Sequence, residues 1–129
     1  MRVALLILLG LAIGAVATVN VMNTLRARNP MPEAVMTTMG YHMGQLRSAI
    51  KTGQCSAPVI AHHLQRVSST ASDIVPVFGI SEKDFTDDAT QLLDRTQAAI
   101  AAAPTTCAAL GEAIKPIGQT CKSCHQQYR

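Results

Sequence analysis

The chain has 129 residues, a length that fits one globular domain. Its formal net charge is +3, aromatic residues make up 3% of the composition, and there is no tryptophan. Because the sequence has neither a basic stripe nor a row of aromatic side chains on which bases could stack, nucleic acid is excluded as a partner.

The first element is an apolar N-terminal segment. Met1 and Arg2 form a minimal positive n-region, and residues 3–17 are an unbroken run of apolar residues and glycine. A cleaved signal peptide would use the A-x-A site that ends at Ala17. An uncleaved anchor would extend the run through Met22, to the roughly 17–20 residues that span a bilayer. The run continues past the cleavage site, which favours the anchor.

These features divide the chain into a signal-anchor or signal peptide over residues 1–24, a linker over residues 25–30 and a main domain over residues 31–129. Both alternatives for the first segment predict an exported protein. An anchor would hold the main domain on the periplasmic side of the bacterial inner membrane. Cleavage would instead release it as a soluble periplasmic protein.

Four segments of the main domain carry apolar residues at alternating spacings of three and four, which is typical of helices with one buried face. The predicted helices begin near Met31, Ala57, Asp84 and Cys107. The first three end at residues that break helices: Gly53, Pro76 and Pro104. No segment alternates with a period of two. The sequence therefore predicts an all-α fold, an antiparallel up-down-up-down four-helix bundle preceded by an N-terminal apolar helix.

The last predicted helix contains the motif C-x-x-C-H, formed by Cys121, Cys124 and His125. This motif is typical of c-type haem attachment, because two thiols three residues apart share a helix face and can add to the two vinyl groups of one porphyrin. His125 would then be the proximal iron ligand. A zinc site would need a second ligand pair, and a thioredoxin-like redox pair would need a βαβ pattern; the sequence has neither. One covalently attached haem c per chain is predicted.

The predicted topology brings the start of the first bundle helix and the end of the last to the same end of the bundle. Met36 and His125 then lie at similar heights on facing helices, which makes Met36 a candidate distal iron ligand. The alternative is that Met36 only fills the core, as methionines on a helix face commonly do. Met39 and Met43 share that face and are predicted to pack around the haem.

The other histidines are predicted to lie away from the iron. His42 lies about 240° around the helix from Met36, so we expect it to be exposed or hydrogen-bonded. His62 and His63 are predicted to be solvated surface residues near the start of the second bundle helix, because adjacent residues face different directions on a helix. A surface metal site is the alternative for this pair.

Two further cysteines, Cys55 and Cys107, are predicted to lie at the end of the bundle away from the haem. In an exported, oxidised domain, two such cysteines are expected to pair. The alternative is two unpaired thiols.

Acidic residues cluster at the start of the third bundle helix, at Glu82, Asp84, Asp87 and Asp88. Acids at a helix N-terminus are explained by the helix dipole alone. The alternative is a docking patch for a basic redox partner, since charge at such a surface tunes encounter rates.

Two stretches of this sequence resemble the class II c-type cytochromes, the group that contains cytochrome c prime and its low-spin His/Met relatives. The ending Cys-Lys-Ser-Cys-His-Gln-Gln-Tyr-Arg at residues 121–129 is similar to the family's C-x-x-C-H-x-x-Tyr-Arg. Residues 36–43 resemble the low-spin subgroup's M-x-x-x-G-x-H-M, whose first methionine is the distal ligand. The resemblance implies a four-helix-bundle haem domain with His125 and Met36 as axial ligands, and it places Arg129 near the haem edge.

The function implied is transfer of single electrons between other redox proteins of the periplasm or membrane, and not an enzymatic reaction. Ligands on both faces of the iron would leave no open coordination site. The alternative is a five-coordinate haem that binds nitric oxide or carbon monoxide, as the high-spin members of the family that this chain resembles do. The sequence leaves open whether the protein forms a homodimer.

Overall fold

A computed structural model describes residues 2–27 and 29–128. The helices are α1 (Arg2–Ala27), α2 (Met31–Thr52), α3 (Ala57–Ala71), α4 (Ile74–Phe78), α5 (Lys83–Ala101) and α6 (Cys107–Tyr128). The described residues contain no strand. They form two compact units, residues 1–30 and residues 31–129.

The N-terminal unit consists of the apolar helix α1. Within the described ranges, the stretch Leu6–Leu25 of this helix is long and apolar enough to cross a membrane, with a mean hydropathy of 2.0. The described large apolar side chains of its Leu6–Leu25 stretch are exposed. By length and composition this helix fits either a signal sequence or an anchor.

Helix α1 continues to Ala27 and so includes part of the segment, residues 25–30, that the sequence predicts as a linker. Asn29 and Pro30 are not helical, because proline cannot continue a helical hydrogen-bond ladder and disfavours the helical conformation of the residue that precedes it. Pro30 is also the last residue of the N-terminal unit.

The four long helices of the second unit form a closed ring of neighbours. Helix α2 packs against α3 and α6, and α5 packs against the same two helices. Consecutive helices are therefore adjacent, and the last helix closes against the first. This is the up-down-up-down four-helix bundle, and the predicted fold class is confirmed.

The inner faces of the helices carry the core at the predicted helical spacing. The buried residues of α3 are Ile60, Leu64, Val67, Thr70 and Ala71. Those of α5 and α6 are Phe85, Ala89, Leu92, Thr96, Ala99, Leu110, Ile114, Ile117 and Thr120. Complete burial of one leucine or isoleucine side chain stabilises a fold by about 1.5–3 kcal/mol, so these faces hold the bundle together.

The connection between the second and third bundle helices differs from the prediction. Helix α3 ends at Ala71, not at Pro76, and Ile74–Phe78 form the short helix α4. Proline is tolerated there because first-turn amides have no partner within the helix. Ile74 is buried, which keeps the short helix against the bundle. Gly79 ends α4 with a left-handed backbone, φ 64°, that glycine adopts without strain.

Candidate functional site

A cavity of about 240 Å³ lies among the helices of the bundle. Its α2 wall consists of Met36, Met39, Gly40, Met43 and Arg47. Its α5 and α6 walls consist of Asp88, Ala89, Leu92, Thr120, Cys121, Cys124 and His125. Val67 and Ile74 complete the lining from α3 and α4. Most of these side chains are apolar, so the cavity suits a large apolar group with a few polar anchors.

The C-x-x-C-H motif lines one side of this cavity. Cys121 and Cys124 are half-buried on α6, one helical turn apart, and neither is in a disulfide. His125 follows directly and borders the same space. Helix α6 continues through Pro116 to Tyr128, so one helix positions both thiols and the imidazole. This donor set fits a porphyrin that is attached through two thioethers and ligated by one imidazole.

The methionines of α2 line the same cavity as the motif. Met36 is half-buried and lines the cavity, whereas its neighbour Val35 is buried in the core. Met39 and Met43 are buried and line the same wall. The structure therefore brings Met36, Met39 and Met43 into one space with His125, and Met36 is the most solvent-exposed of the three methionines.

Burial makes both thiols of the C-x-x-C-H motif weaker acids than a free cysteine. Burial raises the pKa of Cys121, and the guanidinium of Arg47 opposes this only in part. Burial also raises the pKa of Cys124, and the neighbouring Asp88 and Cys121 raise it further.

Arg47 and Asp88 place opposite charges at the wall of the apolar cavity. Arg47 reaches towards α6, where the end of its side chain lies beside Gly118. Arg47 is not among the residues predicted for the site, although its spacing from the methionines indicates the same helix face. It lies eleven residues after Met36 and four after Met43, which keeps all three on one helix face.

Three residues of the acidic cluster lie near the end of α6. Partial burial and then the charges of Glu82, Asp84 and Asp88 raise the pKa of Tyr128. Tyr128 also packs edge-on against the buried ring of Phe85, with the centroids 5.2 Å apart. The acidic residues at the start of α5 therefore lie beside the C-x-x-C-H end of the bundle.

The prediction for the three histidines outside the motif is correct for His42 and His62 but not for His63. His42 is buried, and its Nδ1 lies 2.8 Å from Nδ1 of His63, within hydrogen-bond distance, so of the two predicted alternatives, exposed or hydrogen-bonded, the structure has the second. His63 is half-buried, and only His62 is a solvated surface residue as expected. The difference arises because α2 packs closely against α3, which buries the side of α2 that carries His42. None of the three histidines lines the cavity.

The remaining predicted residues lie outside the cavity or outside the described chain. Cys55, between α2 and α3, and Cys107, the first residue of α6, are joined by a disulfide with their Cα atoms 5.2 Å apart. Neither lines the cavity. Arg129 lies outside the described residues, so its position near the haem edge stays a prediction.

Fold and site together define a class of protein, the helical-bundle c-type haem proteins. The family model described as Cytochrome C' matches residues 31–129. The chain therefore belongs to the cytochrome c' family of class II c-type cytochromes, and membership implies a covalently bound c-type haem. Comparison with curated proteins and comparison with solved structures found no match.

Proposed function

We propose that this protein is an exported cytochrome that carries single electrons through one haem with histidine and methionine ligands. Cys121 and Cys124 form the two thioethers, His125 is the proximal ligand and Met36 is the distal ligand. The observation that carries the proposal is that Met36 on α2 and His125 on α6 line the same apolar cavity. A c-type haem in that cavity supplies one-electron Fe(III)/Fe(II) chemistry.

The residues of the chain direct that chemistry towards electron transfer. Met36 from α2 and His125 from α6 would both bind the iron, so that no coordination position would be left for a substrate. A methionine ligand also raises the reduction potential relative to ligation by two nitrogens. The buried side chains of Met39, Met43 and Leu92 keep water from the cavity wall, which favours a stable potential.

The two charged residues of the cavity act on the potential in opposite directions. The cation at Arg47 disfavours the additional positive charge of the oxidised state, so it raises the reduction potential. The carboxylate at Asp88 favours the oxidised state and lowers the potential. In a site of low polarity each charge has a larger effect than it would have in water.

A second function, binding of a diatomic gas, is favoured by one observation. Met36 is only half-buried and lies in the second turn of α2, near a helix end, where local opening requires little free energy. Without Met36 at the iron, the haem has an open distal position that takes nitric oxide or carbon monoxide. The two functions therefore differ in whether Met36 stays bound.

The visible spectrum of the purified protein distinguishes these functions. We expect a low-spin ferric spectrum with a weak sulfur-to-iron charge-transfer band, and a ferrous spectrum that stoichiometric carbon monoxide leaves unchanged. A high-spin ferric spectrum, together with a large ferrous shift on addition of carbon monoxide, would favour gas binding and would contradict the electron carrier.

The same proposal places the haem domain on the periplasmic side of the inner membrane, held by α1. Its partners are other redox proteins of the periplasm or membrane. The acidic residues Glu82, Asp84 and Asp88 surround Tyr128 beside the C-x-x-C-H end. A basic partner that docks on this face would approach the haem, and complementary charge would raise the encounter rate.

The anchor gives a direct prediction about localisation. We expect the full-length protein to remain with the membrane fraction after a high-salt wash, because the stretch Leu6–Leu25 is exposed and apolar over a length that spans a bilayer. Ala17→Leu removes the A-x-A site while preserving the apolar character of α1, so we expect it to leave the size and location of the protein unchanged. A soluble wild-type chain that begins at Thr18, together with a longer Ala17→Leu chain, would show cleavage instead.

A further inference from the structure

Three histidines form a cluster at the contact between α2 and α3. His42, His62 and His63 each offer one ring nitrogen, and these three nitrogens all lie within 4.8 Å of one another. The ring centroids of His62 and His63 are 5.1 Å apart, as are those of His42 and His63, and those of His42 and His62 are 6.0 Å apart. The cluster is separate from the cavity, because none of the three lines it.

The two helices give these imidazoles a graded exposure. His42 is 8% exposed on α2, His63 is half-buried on α3, and the neighbouring His62 is exposed. The ring of Tyr41 packs edge-on against His42 at 5.0 Å and against His63 at 6.5 Å. The cluster therefore has a fixed, partly buried base and one side open to solvent, from which an ion can enter.

We propose that His42, His62 and His63 bind a divalent transition-metal ion, Zn²⁺ or Cu²⁺, with water in the remaining coordination position. Imidazole nitrogen suits both ions, and three histidines with one open position form a known type of zinc site.

The geometry needs little adjustment to accept the ion. The nitrogens of His42 and His63 are 2.8 Å apart, whereas two nitrogens bound to a tetrahedral zinc ion are separated by about 3.3 Å, given zinc–nitrogen bonds of about 2.0–2.1 Å. A small rotation of the half-buried His63 ring supplies this difference, and rotation of the exposed His62 ring brings its nitrogen, which lies within 4.8 Å of the other two, to the same separation.

The surroundings of His42 and His63 favour the neutral form of these two imidazoles, which is the form that binds metals. Burial lowers the pKa of His42, and the neighbouring His63, Arg66 and His62 lower it further. Burial and then His62 lower the pKa of His63. Neutral imidazoles have the free lone pair that a metal ligand needs. A bound ion would connect α2 to α3 and stabilise the folded protein by mass action.

The test is a metal titration of the full-length holoprotein in detergent, in which thioether formation has consumed Cys121 and Cys124. Isothermal titration with Zn²⁺ is expected to give one equivalent per chain. Electron paramagnetic resonance with Cu²⁺ is expected to show coupling to imidazole nitrogens. His62→Gln should weaken zinc binding by at least about tenfold, as loss of even an indirect partner of a metal site commonly does.

The matched control is Gln65→Ala, an exposed position on α3 that contributes no ligand to the cluster. It should bind zinc with the affinity of the wild type. Because His62 is exposed, His62→Gln should fold, and its unchanged haem spectrum would verify this. Equal zinc affinity in His62→Gln and wild type, or failure of the wild type to bind one equivalent, would overturn the proposal.

Discussion

Met36→Ala is expected to change the haem from six-coordinate to five-coordinate or water-bound and to lower its reduction potential. Met36 lines the cavity that also contains His125, and alanine has no sulfur to offer the iron. Axial ligands set haem potentials over a span of about 0.8 V, so loss of the thioether should lower the potential on the order of 100 mV. The ferric spectrum should become high-spin, and the ferrous protein should bind carbon monoxide.

The matched control is Met39→Leu, at a buried position on the same wall of the cavity. Exchange of methionine for leucine nearly conserves volume and commonly costs less than about 1.5 kcal/mol, so we expect the low-spin spectrum and the potential to persist. Visible spectroscopy and a redox titration of both variants decide the matter. The ligand assignment would fail if Met36→Ala kept the wild-type spectrum or if Met39→Leu lost it.

The helical faces of the bundle could be predicted because helical periodicity is a local property of the sequence. The spacing of Ile60, Leu64 and Val67 requires one buried face whatever the partner helix is. The C-x-x-C-H motif is likewise complete within one helical turn. Helix α4 could not be predicted in this way, because a proline such as Pro76 commonly marks the end of a helix. Proline also fits the first turn of a helix, and here the buried neighbour Ile74 holds that turn in place.

The histidine cluster could not be predicted in the same way, because it depends on how two helices meet. A helical projection places His42 away from Met36 but does not tell which residue of α3 it meets. The packing of α2 against α3 decides this and brings His42 to His63. Arg47 is an intermediate case, since its position on the cavity face follows from spacing, but its reach towards Gly118 follows from packing.

Replacement of both Cys55 and Cys107 by serine is expected to lower the melting temperature strongly without changing the haem spectrum. The two cysteines are 52 residues apart in sequence, and a crosslink over this length contributes about 4 kcal/mol in the chain-entropy model. For a domain of this size that corresponds to about 15 °C or more. The spectrum should not change because neither residue lines the cavity.

Thermal unfolding of the holoprotein in detergent, followed by circular dichroism, measures this effect, and Ala108→Ser serves as the matched control. Ala108 is exposed beside Cys107, so its variant should melt as the wild type does. Incubation of the wild type with a reductant should reproduce the melting temperature of the double variant, because both treatments remove the same crosslink from the unfolded chain. Thiol counting on denatured holoprotein should find no free thiol. Two free thiols, or a double variant as stable as the wild type, would show that Cys55 and Cys107 do not pair.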